Sequence, residues 1–315
     1  MKDLIIIGAA AAGCSAAVYA SRRNLDFEII AKDVGGEVAM SGEVGNWPGQ
    51  IKTTGFQLSQ DFRKHVESYD KKILEGWEVL SIKQEKNYHI VEAKNFSGET
   101  KTWETKSVIV ASGIHPRHLE IPGEKEHIGK GVTYCTVCDG PLFREKITTT
   151  IGAGNSALES VLMLSEISEK AYIITKYPAG VENKHGFPKG EDILIEKILN
   201  NPKIEIINNA ISKEIFGENM VEGLKYEDTE NNEEKTLKTE GVMIHIGSIP
   251  NSIFVKCSEK TPSGEIIINM KTKTSCPGVF AAGDVTNVPY KQIAVATGQG
   301  VIAALSAIEY VNKWK

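Results

Sequence analysis

Cys135 and Cys138 lie three positions apart in the run Tyr134-Cys135-Thr136-Val137-Cys138-Asp139-Gly140. A CxxC pair holds its sulfurs close enough to close a small disulfide ring. One thiol of such a pair usually has a lowered pKa, so it exchanges with external disulfides. Asp139 follows at once, placed to act as general acid and base for a departing thiolate, a role that calls for a partly buried carboxyl. The plainer alternative for Asp139 is an acid that starts a turn before glycine. No second CxxC and no nearby histidine pair completes four zinc ligands, so no metal site is expected. Cys14 falls in an apolar helical run and reads as a packing thiol, and Cys257 and Cys276 are read the same way.

Two glycine-rich turns frame this pair. Leu4–Ile7 is a buried-strand run, Gly8-Ala9-Ala10-Ala11-Ala12-Gly13 a tight turn, and Ala16–Ala20 the helix that follows. A pyrophosphate at a helix N-terminus needs free backbone N–H groups and close approach, hence small residues. Ala10 stands where the pattern has its middle glycine, while Gly8 still permits the turn and Gly13 close helix packing. The second strand, Phe27–Ile30, ends near Asp33, 20 residues after Gly13, where a ribose-binding acid is expected. A second unit repeats the order: strand Ile147–Ile151, turn Gly152-Ala153-Gly154-Asn155-Ser156-Ala157, helix Leu158–Ser165. Either turn alone is a weak signal; two of them with a CxxC between are far more specific.

The 315 residues suffice for about two domains, with 41% hydrophobic and 24% charged residues, as in ordinary globular chains. A net charge of -5 offers no basic field for nucleic acid. Met1-Lys2-Asp3 leads straight into a strand, leaving no room for a signal peptide, and no apolar run reaches the roughly 18 residues of a membrane span. Five sparsely spaced cysteines suit a reducing compartment, so a cytoplasmic location is expected.

Gly8–Gly13, Gly45-Asn46-Trp47-Pro48-Gly49, Ala111-Ser112-Gly113, Cys135–Gly140, Gly152–Ala157 and Gly278–Val285 together give the chain its resemblance to low-molecular-weight thioredoxin reductases over nearly its whole length. The resemblance implies an α/β fold of two Rossmann-like dinucleotide-binding domains built as three-layer sheets. The FAD domain would be discontinuous, residues 1–115 and 247–315, and an inserted nicotinamide-type domain, 116–246, would carry the CxxC. It implies a homodimer that passes electrons from a donor through FAD and the Cys135/Cys138 disulfide to thioredoxin. Cys138 would face the flavin, and Cys135 would attack the partner's disulfide. For FAD it points to Gly8, Ala10, Ala12, Gly13, Asp33, Gly36, Glu37, Asn46, Val79, Ser112, Gly113, Gly283, Asp284, Lys291, Gln292 and Ile293. Asp284 would meet the ribityl-phosphate region, and Lys291-Gln292-Ile293 the isoalloxazine ring.

The residues support the split, because proline and glycine cluster at His115-Pro116, Ile121-Pro122-Gly123 and Gly247–Pro250, which suits a pair of linker strands. One departure bears on the donor. NADPH-using relatives carry an arginine cluster after the second glycine motif to hold the 2'-phosphate. Here the sequence runs Thr175-Lys176-Tyr177-Pro178-Ala179-Gly180-Val181, without arginine and without an acid that would mark NAD. In that loss the chain resembles family members that take electrons from ferredoxin, and the resemblance implies ferredoxin as the leading donor, with NADPH disfavoured. The alternatives are an NADPH-dependent reductase with an atypical site, a flavin-dependent dithiol oxidase and a noncatalytic redox sensor.

Overall fold

Alternate residues of the first strand, Lys2–Ala9, enter two different cores. Leu4 and Ile6 face one, Ile5 and Ile7 the other, and all four are buried. A strand covered on both faces reads as an unbroken apolar run, which explains Leu4–Ile7. The computed structural model describes residues 1–41, 43–180 and 186–314, with the side chains of Glu43 and Cys138 excepted. The chain divides into two units, Met1–His115 with Ile249–Lys315, and Pro116–Ser248. The crossing segments Ile114–Pro116 and Ser248–Pro250 are short strands that pair with each other.

The first unit is built on a seven-stranded sheet. Ile73–Glu75, Phe27–Val34, Lys2–Ala9, Thr100–Val110 and Val279–Ala281 run parallel, and His89–Asn95 and Trp77–Gln84 extend the sheet as an antiparallel meander. Helices Ala11–Arg22, Gly55–Glu67 and Ile293–Asn312 cover one face. Val79 and Val91 of the meander, with Trp103, Phe254 and Val255, cover the other.

The helix Ile293–Asn312 is by length and composition apolar enough to cross a membrane, against the expectation that no stretch is. A search for an unbroken apolar run passes over it because Thr297, Gly298, Gln299 and Gly300 interrupt it. Ala303, Ala304 and Ala307 are fully buried, and a Cβ on Gly300 would come 2.1 Å from the Ala12 carbonyl oxygen. Its small residues thus pack one of its faces on Ala11–Arg22.

In the second unit the parallel order is Val132–Thr133, Gly241–His245, Ile147–Gly152, Lys170–Ile174, Ile204–Ile207. Helices Asn155–Ile167 and Asp192–Leu199 pack on one face through Leu158, Val161, Leu164 and Ile198. An antiparallel sheet, Ala210–Phe216, Gly223–Asp228 and Glu233–Lys238, packs on the other through Ile215 and Leu224. The third layer in each unit is thus made of strands rather than helices.

Cys257 and Cys276 are not packing thiols. They form a disulfide, with Cα atoms 5.6 Å apart. They stand 19 positions apart in sequence, and only the tertiary fold brings them together. Cys14 is free and buried, and burial pushes its thiol up to about 12.

Candidate functional site

A cavity of 670 Å³ opens in the first unit at the carboxyl ends of the parallel strands, where open α/β sheets place ligands. The turn below it has no room for side chains. Gly8 has φ +105°, and a Cβ there would lie 2.1 Å from the Ala111 carbonyl oxygen; one on Gly13 would lie 1.9 Å from the Gly8 oxygen. Ala10 is the N-cap of Ala11–Arg22, with extended backbone and no side-chain cap. The first-turn N–H groups therefore face the cavity without a protein side chain on them, a natural seat for a pyrophosphate.

Of the sixteen residues expected at the flavin, fourteen line this cavity: Gly8, Ala10, Ala12, Asp33, Gly36, Glu37, Val79, Ser112, Gly113, Gly283, Asp284, Lys291, Gln292 and Ile293. Gly13 lies beneath it, packed on Gly8. Asn46 is not among the lining residues either and reaches them through Gln292, whose Oε1 accepts from its Nδ2 at 3.1 Å. Asp33 lies within the strand Phe27–Val34 and accepts from Gly36 N at 3.0 Å. Burial raises the Asp284 carboxyl above its ordinary range, opposed by Lys291. Burial also raises Glu37; His115 opposes this, while Asp33 and Asp284 add to it. Three carboxyl groups thus face one cleft, arranged to meet hydroxyl donors rather than phosphate oxygens. Lys291 is held in an ion pair with Glu265 at 2.7 Å.

The sequence reading missed one wall. Asn251 Nδ2 donates to the Ser112 carbonyl at 2.8 Å, Ser112 Oγ donates to the Asn251 carbonyl at 2.6 Å, and His115 Nδ1 lies 2.6 Å from Asn251 Oδ1. This lattice carries Ile253 and Phe254 into the lining. Asn251 directly follows the Gly247–Pro250 segment, whose proline and glycine were read only as a linker. A cleft of this shape, with a side-chain-free helix N-terminus at one end and carboxyl groups along it, fits FAD.

In the second unit the helical turn Thr136–Asp139 carries the redox motif. Cys135 is disulfide-linked, and the side chain of Cys138 lies outside the described residues. Thr133 Oγ1 donates to Asp139 Oδ2 in a very short contact and also accepts from Cys135 N at 3.1 Å. Thr136 is buried; its Oγ1 lies 2.6 Å from Ser160 Oγ and 2.8 Å from His245 Nε2. Beside the motif, Tyr134 donates to the fully buried Glu124 at 2.7 Å, and His118 Nδ1 lies 2.6 Å from the same phenol oxygen. Burial and Glu124 raise the Tyr134 hydroxyl. Burial would raise Glu124 as well, but donors from Tyr134, Leu119 N and Glu120 N outweigh it and hold the carboxyl below its usual range. Thr136 and Tyr134 carried no sequence signal beyond their nearness to the motif, and the distant His245 and Glu124 carried none.

The second glycine turn is covered. Lys189 N donates to the Ala153 carbonyl, and Glu191 N donates to Asn155 Oδ1 at 2.9 Å. Asn155 Nδ2 donates back to the Glu191 carboxylate at 3.2 Å, at the first residue of the helix Asn155–Ile167. Lys189 Nζ lies 3.4 Å from the Tyr177 ring centroid, and Lys176 Nζ lies 5.6 Å from it. Val181 lies outside the described residues.

Residues 2–300 match the family described as pyridine nucleotide-disulphide oxidoreductase. The chain is 35% identical over 313 residues to a component of the alkyl hydroperoxide reductase of Pseudomonas putida, spanning 98% of this chain and 58% of that longer protein. Thioredoxin reductase of T. acidophilum superposes with a TM-score of 0.75 at 38% identity, over 100% of this chain and 99% of the other. A ferredoxin-flavin thioredoxin reductase from Clostridium acetobutylicum matches at TM-score 0.52 and 26% identity, over 99% of this chain and 98% of the other.

Proposed function

From its membership of the pyridine nucleotide-disulphide oxidoreductase family, we propose that this chain moves electrons from a donor, through FAD and the Cys135/Cys138 pair, to the disulfide of a thioredoxin-fold protein. The donor in this reading is a ferredoxin-type protein rather than NADPH. FAD, when bound in the cleft of the first unit, supplies the two-electron chemistry that reopens the disulfide. The chain's own residues do the rest. Cys135 attacks the partner's disulfide as a thiolate, and Cys138 resolves the mixed disulfide. Asp139, held by Thr133, takes and returns the proton of the leaving thiol. Val137 inside the motif and Leu142 beyond it, 56% and 70% exposed, offer the apolar surface a protein partner would cover.

The observation that carries the donor assignment is Glu191. Its carboxylate, paired with Asn155, sits at the helix terminus where a dinucleotide pyrophosphate needs bare N–H groups, and like charges repel. The missing arginines point the same way. One feature favours a second reading, an NADPH-dependent enzyme with an atypical site: Lys176 and Lys189 both approach the Tyr177 ring and could meet a 2'-phosphate as point charges. Anaerobic titration of the flavin absorbance separates the two. Stoichiometric bleaching by reduced ferredoxin, with none by NADPH or NADH, is expected. Saturable reduction by micromolar NADPH, in the range usual for enzyme substrates, would overturn the donor assignment in favour of the second reading.

A further inference from the structure

We propose that Cys257 and Cys276 form a second, reversible thiol-disulfide site, whose oxidised state holds the wall of the flavin cleft in place. The proposal rests on the assignment of FAD to that cleft. The disulfide joins two segments that end in cleft residues. One runs back from Cys257 to Phe254, Ile253 and Asn251, and the other runs forward from Cys276 through the strand Val279–Ala281 to Gly283 and Asp284. Both segments pack in the same core, with Phe254, Val255, Val279 and Ala281 buried there.

The two sulfurs are not equally reachable. Cys276 is 2% exposed, whereas Cys257 is only partly buried. A reducing thiolate therefore meets Cys257 first. Gln84 Oε1 lies 3.4 Å from Cys276 Sγ, within reach of the S–H that reduction leaves there, so the reduced state has a partner waiting for its buried thiol. With a vicinal dithiol as reductant, one of its thiolates attacks Cys257 Sγ, forms a mixed disulfide and expels Cys276 as a thiolate. The second thiol of the reductant then breaks the mixed disulfide and expels Cys257. Two electrons and two protons pass to the chain, which ends with two thiols, while the reductant leaves as its own disulfide. Once the link is open, Asn251–Phe254 is tied to the sheet edge by packing and hydrogen bonds alone, and FAD is held more weakly.

The test uses the full-length flavoprotein with Cys135→Ser and Cys138→Ser, so that Cys257–Cys276 is its one possible native disulfide. It is incubated with dithiothreitol, trapped with iodoacetamide and weighed by mass spectrometry, and FAD affinity is read from flavin fluorescence. One added alkyl group on the more reachable Cys257 in the native protein, a second on Cys276 once the trapped protein is unfolded, and at least a fivefold weaker FAD affinity that recovers on reoxidation, are expected. The Cys257→Ser/Cys276→Ser protein with the CxxC intact should show the weaker affinity without any dithiothreitol response. Failure to alkylate under native conditions overturns the reversible site, and alkylation with FAD affinity unchanged within twofold overturns its link to the cleft. A preparation that never binds FAD fails the cofactor assignment instead, because the alkylation readout does not depend on flavin.

Discussion

Thr136 Oγ1 lies 2.8 Å from His245 Nε2, so the residue just inside the redox motif is tied to the end of the strand Gly241–His245. That strand flanks Gly152: a Cβ on Gly152 would lie 2.2 Å from the His245 carbonyl oxygen. The hydroxyl also meets Ser160, which fixes the start of the turn Thr136–Asp139. His245→Ala or Thr136→Val should slow disulfide turnover about tenfold, the effect of losing one buried hydrogen bond near 1.4 kcal/mol, while flavin reduction by the true donor stays unchanged. Thr136→Ser should restore most of the rate. Equal slowing of both half-reactions would show a general structural loss instead.

Burial lowers the His245 imidazole to about 4, against an ordinary value near 6.5. The native state binds fewer protons than the unfolded chain between those two values, so stability falls as the pH drops from about 6.5 towards 4. It is fully present above that window, and the loss has a ceiling of about 3 kcal/mol. Urea midpoints measured across the window should therefore decline more steeply for the wild type than for His245→Gln. Parallel slopes would remove His245 from the acid sensitivity of the fold.

Cys135→Ser should abolish reduction of a thioredoxin-fold disulfide and leave flavin reduction by the donor intact. Stopped-flow bleaching of the flavin followed by a coupled disulfide assay resolves the two steps. Disulfide turnover near the wild-type rate in this variant would refute the assignment of the attacking thiol.

The cleft gives opposite expectations for two small residues of the same turn. Gly8→Ala places a Cβ 2.1 Å from the Ala111 oxygen at φ +105°, so the turn must move and the purified protein should lose its yellow colour. Ala10→Gly removes only a methyl from an N-cap with extended backbone, so FAD retention should not fall. Flavin-to-protein absorbance ratios decide both cases.

Tyr134→Phe removes the donor that reaches the buried Glu124 and leaves a carboxylate with two backbone donors, Leu119 N and Glu120 N. A loss of about 1–3 kcal/mol in urea unfolding is expected. A change below about 0.5 kcal/mol, the scatter of ordinary surface substitutions, would mean that His118 or water replaces the phenol.

Local chemistry made much of this protein legible in its sequence. A strand, a small-residue turn and a helix must follow one another along the chain to seat a pyrophosphate, and Leu4–Gly13 and Ile147–Ala157 display that order directly. The CxxC is equally local. What depends on residues far apart in the chain was decided by tertiary structure alone. Cys257 finds Cys276 only because the fold brings two segments 19 positions apart together. Thr136 finds His245 across 109 residues because parallel strands bring their carboxyl ends to one side. Glu191 meets Asn155 across 36 positions, a pairing no periodicity encodes. Sequence patterns report what neighbouring residues demand of the backbone; these pairings arise when the sheets close and bring their edges and strand ends together.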